Sequence, residues 1–300
     1  MKEKNILITG GTGFIGEYLS EELLKDGHFL TIVTRSPEKY KSVSSKNQQF
    51  ITLDQATERM LDMDIVINLA GESIFGQRWS DEVKNRIYES RINTTRSLVE
   101  AMETTEDRPE LFISASAVGI YGDSDDTLLD EESPFGSDFL ATVCEDWEKE
   151  SKKAESLGVR VANPRIGIVL EKGGGVLEQM ITPFKFFVGG PIGTGDQYVP
   201  WVHMKDLCNA ILFPIKNQNF RGPYNACSPN PATMNELANA LGSVMNRPSI
   251  FKVPEFLLNI ALGEAAEPIL ASLRVQPKVL QKADFEFEFE DLETALGDIL

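Results

Sequence analysis

NILITGGTGFIG, residues Asn5 to Gly16, decides the fold. An apolar run closes on glycines spaced Gly10-x-x-Gly13-x-x-Gly16 and passes into a segment with helical periodicity. β-formers followed by glycines and then an amphipathic stretch read as strand, tight turn and helix. Glycine spacing alone is ordinary loop chemistry, because loops recruit glycine wherever the backbone needs positive φ. Between a strand and a helix it means more: backbone without side chains approaches a diphosphate, whose charge is met by amide N–H groups and the positive end of the helix dipole. The stretch is therefore expected to be a dinucleotide-binding turn, with Gly10, Thr12, Gly13, Phe14, Ile15 and Gly16 against the cofactor.

Outward from that turn, Tyr18, Leu19, Leu23 and Leu24 recur at helical spacing and Gly27 ends the helix. Phe29 to Thr34 (FLTIVT) reads as the second strand, and Phe50 to Leu53, Ile65 to Leu69 and Leu111 to Ser114 as further strands, the last two separated by a helix from about Asp81 to Glu103. This alternation predicts an α/β fold, a Rossmann-type doubly wound parallel sheet with ligands beyond the carboxyl ends of the strands. Helices are expected over Phe139 to Glu155, Val176 to Val188, Lys205 to Ile215 and Met234 to Met245, with a sheet-extending strand at Tyr224 to Ala226. FEFEF, Phe285 to Phe289, alternates strictly and reads as a half-buried strand, and Asp291 caps a last helix. The domain reading is 1–170 for the cofactor domain, with 201–228 returning to it, 171–252 for a mixed substrate-side region and 253–300 for a smaller C-terminal α+β domain. The glycine-rich loops Gly173 to Gly175 and Gly189 to Trp201 read either as places where substrate-side residues converge or as flexible connectors.

Composition removes several classes. The chain has 300 residues, 42% hydrophobic and 25% charged, enough for a large α/β domain and a smaller one. A formal net charge of −17 leaves no basic excess to displace counterions, which argues against nucleic acid as partner. Cys144, Cys208 and Cys227 are scattered and odd in number, so neither a disulfide framework nor a zinc site is expected and the compartment reads as reducing and cytoplasmic. MKEKN runs directly into a strand, and the apolar stretch from Phe256 to Leu273 is broken by Asn259, Glu264 and Glu267, so no membrane association is expected.

The end of the second strand bears on cofactor choice. An acid there binds the ribose 2′-hydroxyl of NAD, whereas a cation accommodates the 2′-phosphate of NADP. The sequence reads Thr34-Arg35-Ser36-Pro37, and the forked donor of Arg35 suits a phosphate, so NADP(H) is favoured over a merely solvated arginine. Asp54, past the third strand, reads equally as an adenine contact or as a turn or helix-cap residue.

TGGTGFIG, NLAGE (Asn68 to Glu72) and SASAVGIYG (Ser114 to Gly122) resemble the extended short-chain dehydrogenase/reductases, the superfamily of nucleotide-sugar epimerases, dehydratases and reductases. PRIGIVL (Pro164 to Leu170) resembles its sixth-strand cofactor segment, and WVHMKDL (Trp201 to Leu207) the segment before its substrate-domain helix. The resemblance implies cofactor contacts from Leu69, Ala70, Gly71, Glu72, Arg91, Ser114, Pro164 and Ile166. It implies substrate contacts from Arg78, Trp79, Trp201 and His203, for which surface or structural roles are the alternatives. It also implies a small-molecule substrate and a homodimer formed through the helices after the fourth and fifth strands.

The departures from that pattern are equally informative. The superfamily pairs a tyrosine proton donor with a lysine four residues on, since a phenol of pKa about 10 needs a nearby cation to act at neutral pH. Ser116 matches the serine that bonds the reacting oxygen, but the aligned helix puts Leu140 near the tyrosine position and Cys144 near the lysine position. No tyrosine in the chain has a lysine four residues on. Arg91 stands where the superfamily has an asparagine. This set resembles an atypical subgroup, known as epimerase-family proteins, with a small C-terminal domain of unknown function similar to Val253 to Leu300. Cys144 then reads as a weak acid or nucleophile activated by Arg91, or as a small buried residue; Tyr121 reads as a substitute proton donor or a packing aromatic. Two functions follow: an NADP-dependent oxidoreductase or epimerase-like enzyme using Ser116 on a small polar carbonyl or sugar-nucleotide substrate, or a catalytically silent NADP-binding redox sensor or scaffold.

Overall fold

The structure is a computed structural model and describes residues 2–300. Strand β1 (Asn5–Thr9) leads through the glycine turn into α1 (Phe14–Lys25), then β2 (Phe29–Val33) and β3 (Gln48–Ile51). The third strand stops before the expected Leu53 because Thr52 caps α2 (Leu53–Glu58). Its hydroxyl accepts from the Gln55 N–H while the Gln55 side chain accepts from the Thr52 N–H, a capping box. The chain continues through β4 (Ile65–Asn68), α3 (Asp81–Glu103), β5 (Leu111–Ser114), the two-residue β6 (Ser116–Ala117) and β7 (Leu128–Leu129), α4 (Phe139–Lys152) and β8 (Arg160–Ile166).

Hydrogen-bonded neighbours run β12-β8-β5-β4-β1-β2-β3, where β12 is Gly222–Ala226 and every pairing is parallel. Ile6, Leu7, Ile8, Ile65, Val66 and Ile67 are buried on both faces of the sheet, which is why these strands read as continuous apolar runs. The strand order reverses between β1 and β4, and a doubly wound sheet opens its ligand crevice at that switch point.

One proline shapes the far side of that crevice. β5 pairs with β8 as far as Ile113 opposite Ala162, and the ladder resumes only with β6, Ser116 opposite Arg165. Pro164 lies in the gap, without an N–H to donate, so the sheet splits there and β6 starts a separate rung. Pro164 is buried in the sheet.

The second half adds β9 (Ile168–Leu170), α5 (Gly175–Lys185), β10 (Tyr198–Val199), β11 (Trp201–His203), α6 (Met204–Lys216), β13 (Ala232–Thr233) and α7 (Met234–Met245). It ends with α8 (Glu255–Leu262), α9 (Glu267–Leu270), β14 (Arg274–Val275), α10 (Lys278–Lys282) and α11 (Leu292–Ile299), the last capped by Asp291 through the Thr294 N–H as expected. FEFEF is not a strand. Its phenylalanines do face inward and its glutamates outward, but no strand edge pairs with it. The carboxylate of Asp206 takes the place of a neighbouring strand, accepting from the N–H groups of Glu288 and Phe289 at 2.9 Å each.

Residues 253–300 complete cores begun elsewhere. Leu280 is buried with Ile6, Leu30, Ile65 and Tyr224, while Phe289, Leu292, Leu296 and Ile299 join Leu177, Phe184, Trp201 and Leu237. No helix among the described residues is long and apolar enough to cross a membrane. Leu280→Ala is expected to lower unfolding free energy by about 2–5 kcal/mol in a urea titration, as for a fully buried leucine. A change under about 0.5 kcal/mol, typical of surface sites, would mean that the C-terminal segment is not part of the main core.

Candidate active site

Gly10 sits at φ +71°, and a Cβ there would lie 2.6 Å from the Leu69 carbonyl oxygen and 3.0 Å from the Ala70 nitrogen. The β1 and β4 turns are thus in backbone contact across the switch point, and only glycine permits it. A Cβ on Gly16 would overlap the Gly10 carbonyl oxygen. Gly13 donates from its N–H to Gly10 O at 3.0 Å and is the N-cap of α1, with no side chain capping the helix. The first amides of α1 therefore have no protein acceptor from a cap, as a phosphate-binding helix start requires. Phe14 packs under the start of α5, where a Cβ on Gly174 would come 2.5 Å from its ring. Arg35 is exposed just past β2 and has no ion pair among the described residues; Asp54 is exposed in the first turn of α2, whose cap is Thr52.

Behind the turns lies a polar cluster centred on Asn68. Its side-chain oxygen accepts from the Thr9 hydroxyl at 2.5 Å and, at 3.4 Å, from the Ala70 N–H; its amide nitrogen donates to Thr95 at 2.8 Å and to Ser114 at 3.2 Å. Thr95 donates to the Arg91 carbonyl and accepts from the Trp147 indole at 2.9 Å. Thr9, Asn68, Thr95 and Ser114 are essentially inaccessible, so the expected Ser114 contact with cofactor is replaced by this internal bond. Arg91 donates to the carbonyls of Glu72 (3.1 Å) and Ile87 (2.9 Å) and lies over the Trp147 ring at 5.3 Å. A Cβ on Gly71 would be 2.9 Å from its guanidinium carbon. Arg91 thus shapes the β4 loop, which presents Leu69, Ala70, Gly71 and Glu72 at the crevice, with Ile166 half-buried at the end of β8.

Ser116 is 2% exposed, and its hydroxyl has no hydrogen-bond partner. A buried orphan hydroxyl is costly unless a ligand completes it. The other two catalytic candidates are otherwise engaged. Burial pushes the Cys144 thiol up to about 12 despite the charge of Arg91, which favours its reading as a small buried residue over that of an activated thiol. Tyr121 donates to Asn225 at 2.7 Å and accepts from Arg165 at 2.9 Å, and burial pushes its phenol up to about 12. It is a structural link between β8 and β12, not a free proton donor.

A cleft of about 630 Å³ opens between α4 and the C-terminal segment, lined by Trp79, Gly119, Phe139, Leu140, Glu255 and Asn259 among others. Trp79 packs edge-on against Phe139 at 5.4 Å. Leu140 presents carbon where the resemblance expects a phenol. Arg78 is exposed and donates to the Ile260 carbonyl near the end of α8 at 3.3 Å. Two other substrate assignments are corrected. Trp201 is buried in the core, its indole bonded to the Asn230 carbonyl. His203 caps α6 by accepting from the Lys205 N–H at 3.2 Å and stacks on Phe289 at 3.8 Å, and burial lowers its pKa.

Sequence reasoning did not single out Asn68, Thr95 or the buried pair Arg165–Glu148, in which two guanidinium nitrogens bind two carboxylate oxygens at 2.8 and 2.9 Å. The available signal was a polar residue ending or interrupting an apolar strand, IVIN in β4 and PRI in β8.

Residues 6–227 match the NAD dependent epimerase/dehydratase family model, and residues 253–299 match a domain of unknown function, DUF1731. Epimerase family protein YfhF of Bacillus subtilis is 38% identical over 299 residues, 99% of this chain and 98% of its own. The chloroplastic epimerase family protein SDR39U1 homolog of Arabidopsis thaliana is 40% identical over 304 residues, 99% of this chain and 87% of its own. The crystal structure of the human epimerase family protein SDR39U1 (isoform 2) with NADPH superimposes with a TM-score of 0.90 at 30% identity, covering 98% of each chain.

Asn68→Ala is expected to cost about 1–3 kcal/mol in unfolding free energy, because the buried Thr9 and Thr95 hydroxyls lose a partner. Thermal or urea unfolding checks this; an unchanged midpoint would remove Asn68 from its central place.

Proposed function

The chain belongs to the NAD-dependent epimerase/dehydratase family, and we propose that it binds NADP(H) and interconverts a carbonyl and a hydroxyl on a small polar substrate. The observation that carries this reading is the buried, unpartnered Ser116 hydroxyl on the strand that Pro164 sets apart. The glycine cradle and the uncapped start of α1 hold the diphosphate, and Arg35 meets the 2′-phosphate. The human relative whose structure carries NADPH supports that preference. A nicotinamide cofactor held by these residues would supply hydride transfer to or from the reacting carbon. Ser116 donates a hydrogen bond to the reacting oxygen, stabilising the negative charge that gathers there. The proton for that oxygen comes from solvent, because the Cys144 thiol is buried and the Tyr121 hydroxyl is committed to Asn225, so neither is free to deliver one.

That last feature also favours a second reading, a cofactor-binding sensor or scaffold without turnover. Leu140 replaces the proton donor, and loss of a positioned general acid costs a factor of about 10²–10⁴ in rate.

Fluorescence titration is expected to give tighter binding of NADPH than NADH. Arg35→Ala should weaken NADPH about tenfold, the loss of about 1.4 kcal/mol from one charge-assisted contact, and leave NADH unchanged. Equal affinities in the parent protein would remove the 2′-phosphate assignment. In a panel of carbonyl substrates, Ser116→Ala should lower NADPH oxidation by about 10²-fold, the scale of one oxyanion donor. Cofactor binding with no oxidation in the parent selects the sensor.

A further inference from the structure

We propose that the cleft between α4 and α8 selects an organic cation, an ammonium group on an apolar body, and rejects nucleotide diphosphates. The inference builds on the proposed function only in taking this cleft as the substrate side. Gly119, three residues after Ser116, and Leu140, at the position of the missing phenol, both line it.

The charges of the cleft all have one sign. Asp123, Asp138, Glu255 and Glu267 line it, and no arginine, lysine or histidine does. Two of these carboxylates already have backbone partners: Asp138 caps α4 through the Ala141 N–H at 2.9 Å, and Asp123 accepts from the Ser272 N–H at 2.9 Å. Glu255 and Glu267 are exposed and have no ion pair among the described residues. Two cations that neighbour lining residues have partners in the C-terminal segment: Arg78, next to Trp79 in sequence, bonds the Ile260 carbonyl, and Lys84, 5.6 Å from the Phe139 ring, pairs with Glu264. A diphosphate entering here would meet carboxylates with no guanidinium to bind it, and like charges placed together cost several kcal/mol.

The uncharged part of the lining points to the same class of ligand. Trp79, packed edge to face against Phe139, offers a π surface, and tryptophan is the strongest aromatic partner for an ammonium group, whereas the Phe139 ring already has Lys84 beside it. Leu140, Leu270 and Leu273 supply an aliphatic wall for an apolar body. The volume of about 630 Å³ suits a drug-sized molecule and is much larger than an inorganic ion needs.

The test uses benzyltrimethylammonium and UDP-glucose as probes, titrated calorimetrically into the full chain with and without NADPH. The ammonium probe is expected to bind, more weakly at high salt, and UDP-glucose not to bind. Glu255→Gln combined with Glu267→Gln should weaken the ammonium probe about tenfold or more. Both are surface positions, so folding and NADPH affinity should not change, and NADPH binding to the double variant confirms an intact protein. Binding of UDP-glucose in place of the ammonium probe, binding of neither, or an undiminished ammonium affinity in the double variant overturns the proposal. If NADPH does not bind the parent protein, the proposed function fails, while the titration without cofactor still decides the ligand class.

Discussion

The buried amide of Asn68 is the constraint on which the active-site crevice depends. A doubly wound sheet opens where its strand order reverses, and at that place the ends of β1, β4 and β5 must meet without helices to hold them together. Asn68 supplies the connection, accepting from Thr9 on one neighbouring strand and donating to Ser114 on the other and to Thr95 on α3. A buried amide is costly unless its bonds are made, so the network has one satisfied arrangement and holds the turns in it. Gly10 then approaches the Leu69 carbonyl closely enough that its own missing side chain becomes a requirement.

A second device sets the other wall. Pro164 interrupts the ladder, β6 restarts it, and Arg165 in the same strand buries a bidentate ion pair with Glu148 on α4. Removing one member of such a pair leaves a buried charge and costs about 3–5 kcal/mol, so α4 is strongly held against β8. Tyr121 and Asn225 extend the network to β12, and Asn225 bonds the Gln276 carbonyl in the C-terminal segment. Tyr121, the phenol nearest Ser116 in sequence, is thus committed to structure.

The proposed reading gives the crevice two electrostatic ends: helix N-terminal amides and Arg35 on the side assigned to phosphate, and the carboxylates of the cleft on the side assigned to a cation. The C-terminal segment contributes to the second end by adding Glu255 and Glu267 and by occupying Arg78 and Lys84. Solved structures of UDP-sugar epimerases share the fold at 16–21% identity, a likeness of architecture alone.

The amino-acid order by itself determined the sheet, the glycine turn and the long helices. Those signals are local: alternation, glycine spacing and caps lie within one element, as with α3 and α7, whose bounds match the periodicity. It also singled out Ser116, through motif spacing, as a hydroxyl that the structure leaves buried and unpartnered. Only the tertiary structure decided which polar side chains are free. Cys144, Tyr121, Trp201 and His203 look available along the chain, yet burial and partners distant in sequence, among them Asn225, Asn230 and Phe289, engage them or seal them off. FEFEF fails as a strand for the same reason. Alternation reports which side faces inward, whereas a strand needs a free backbone edge beside it, and there the chain meets the carboxylate of Asp206 instead.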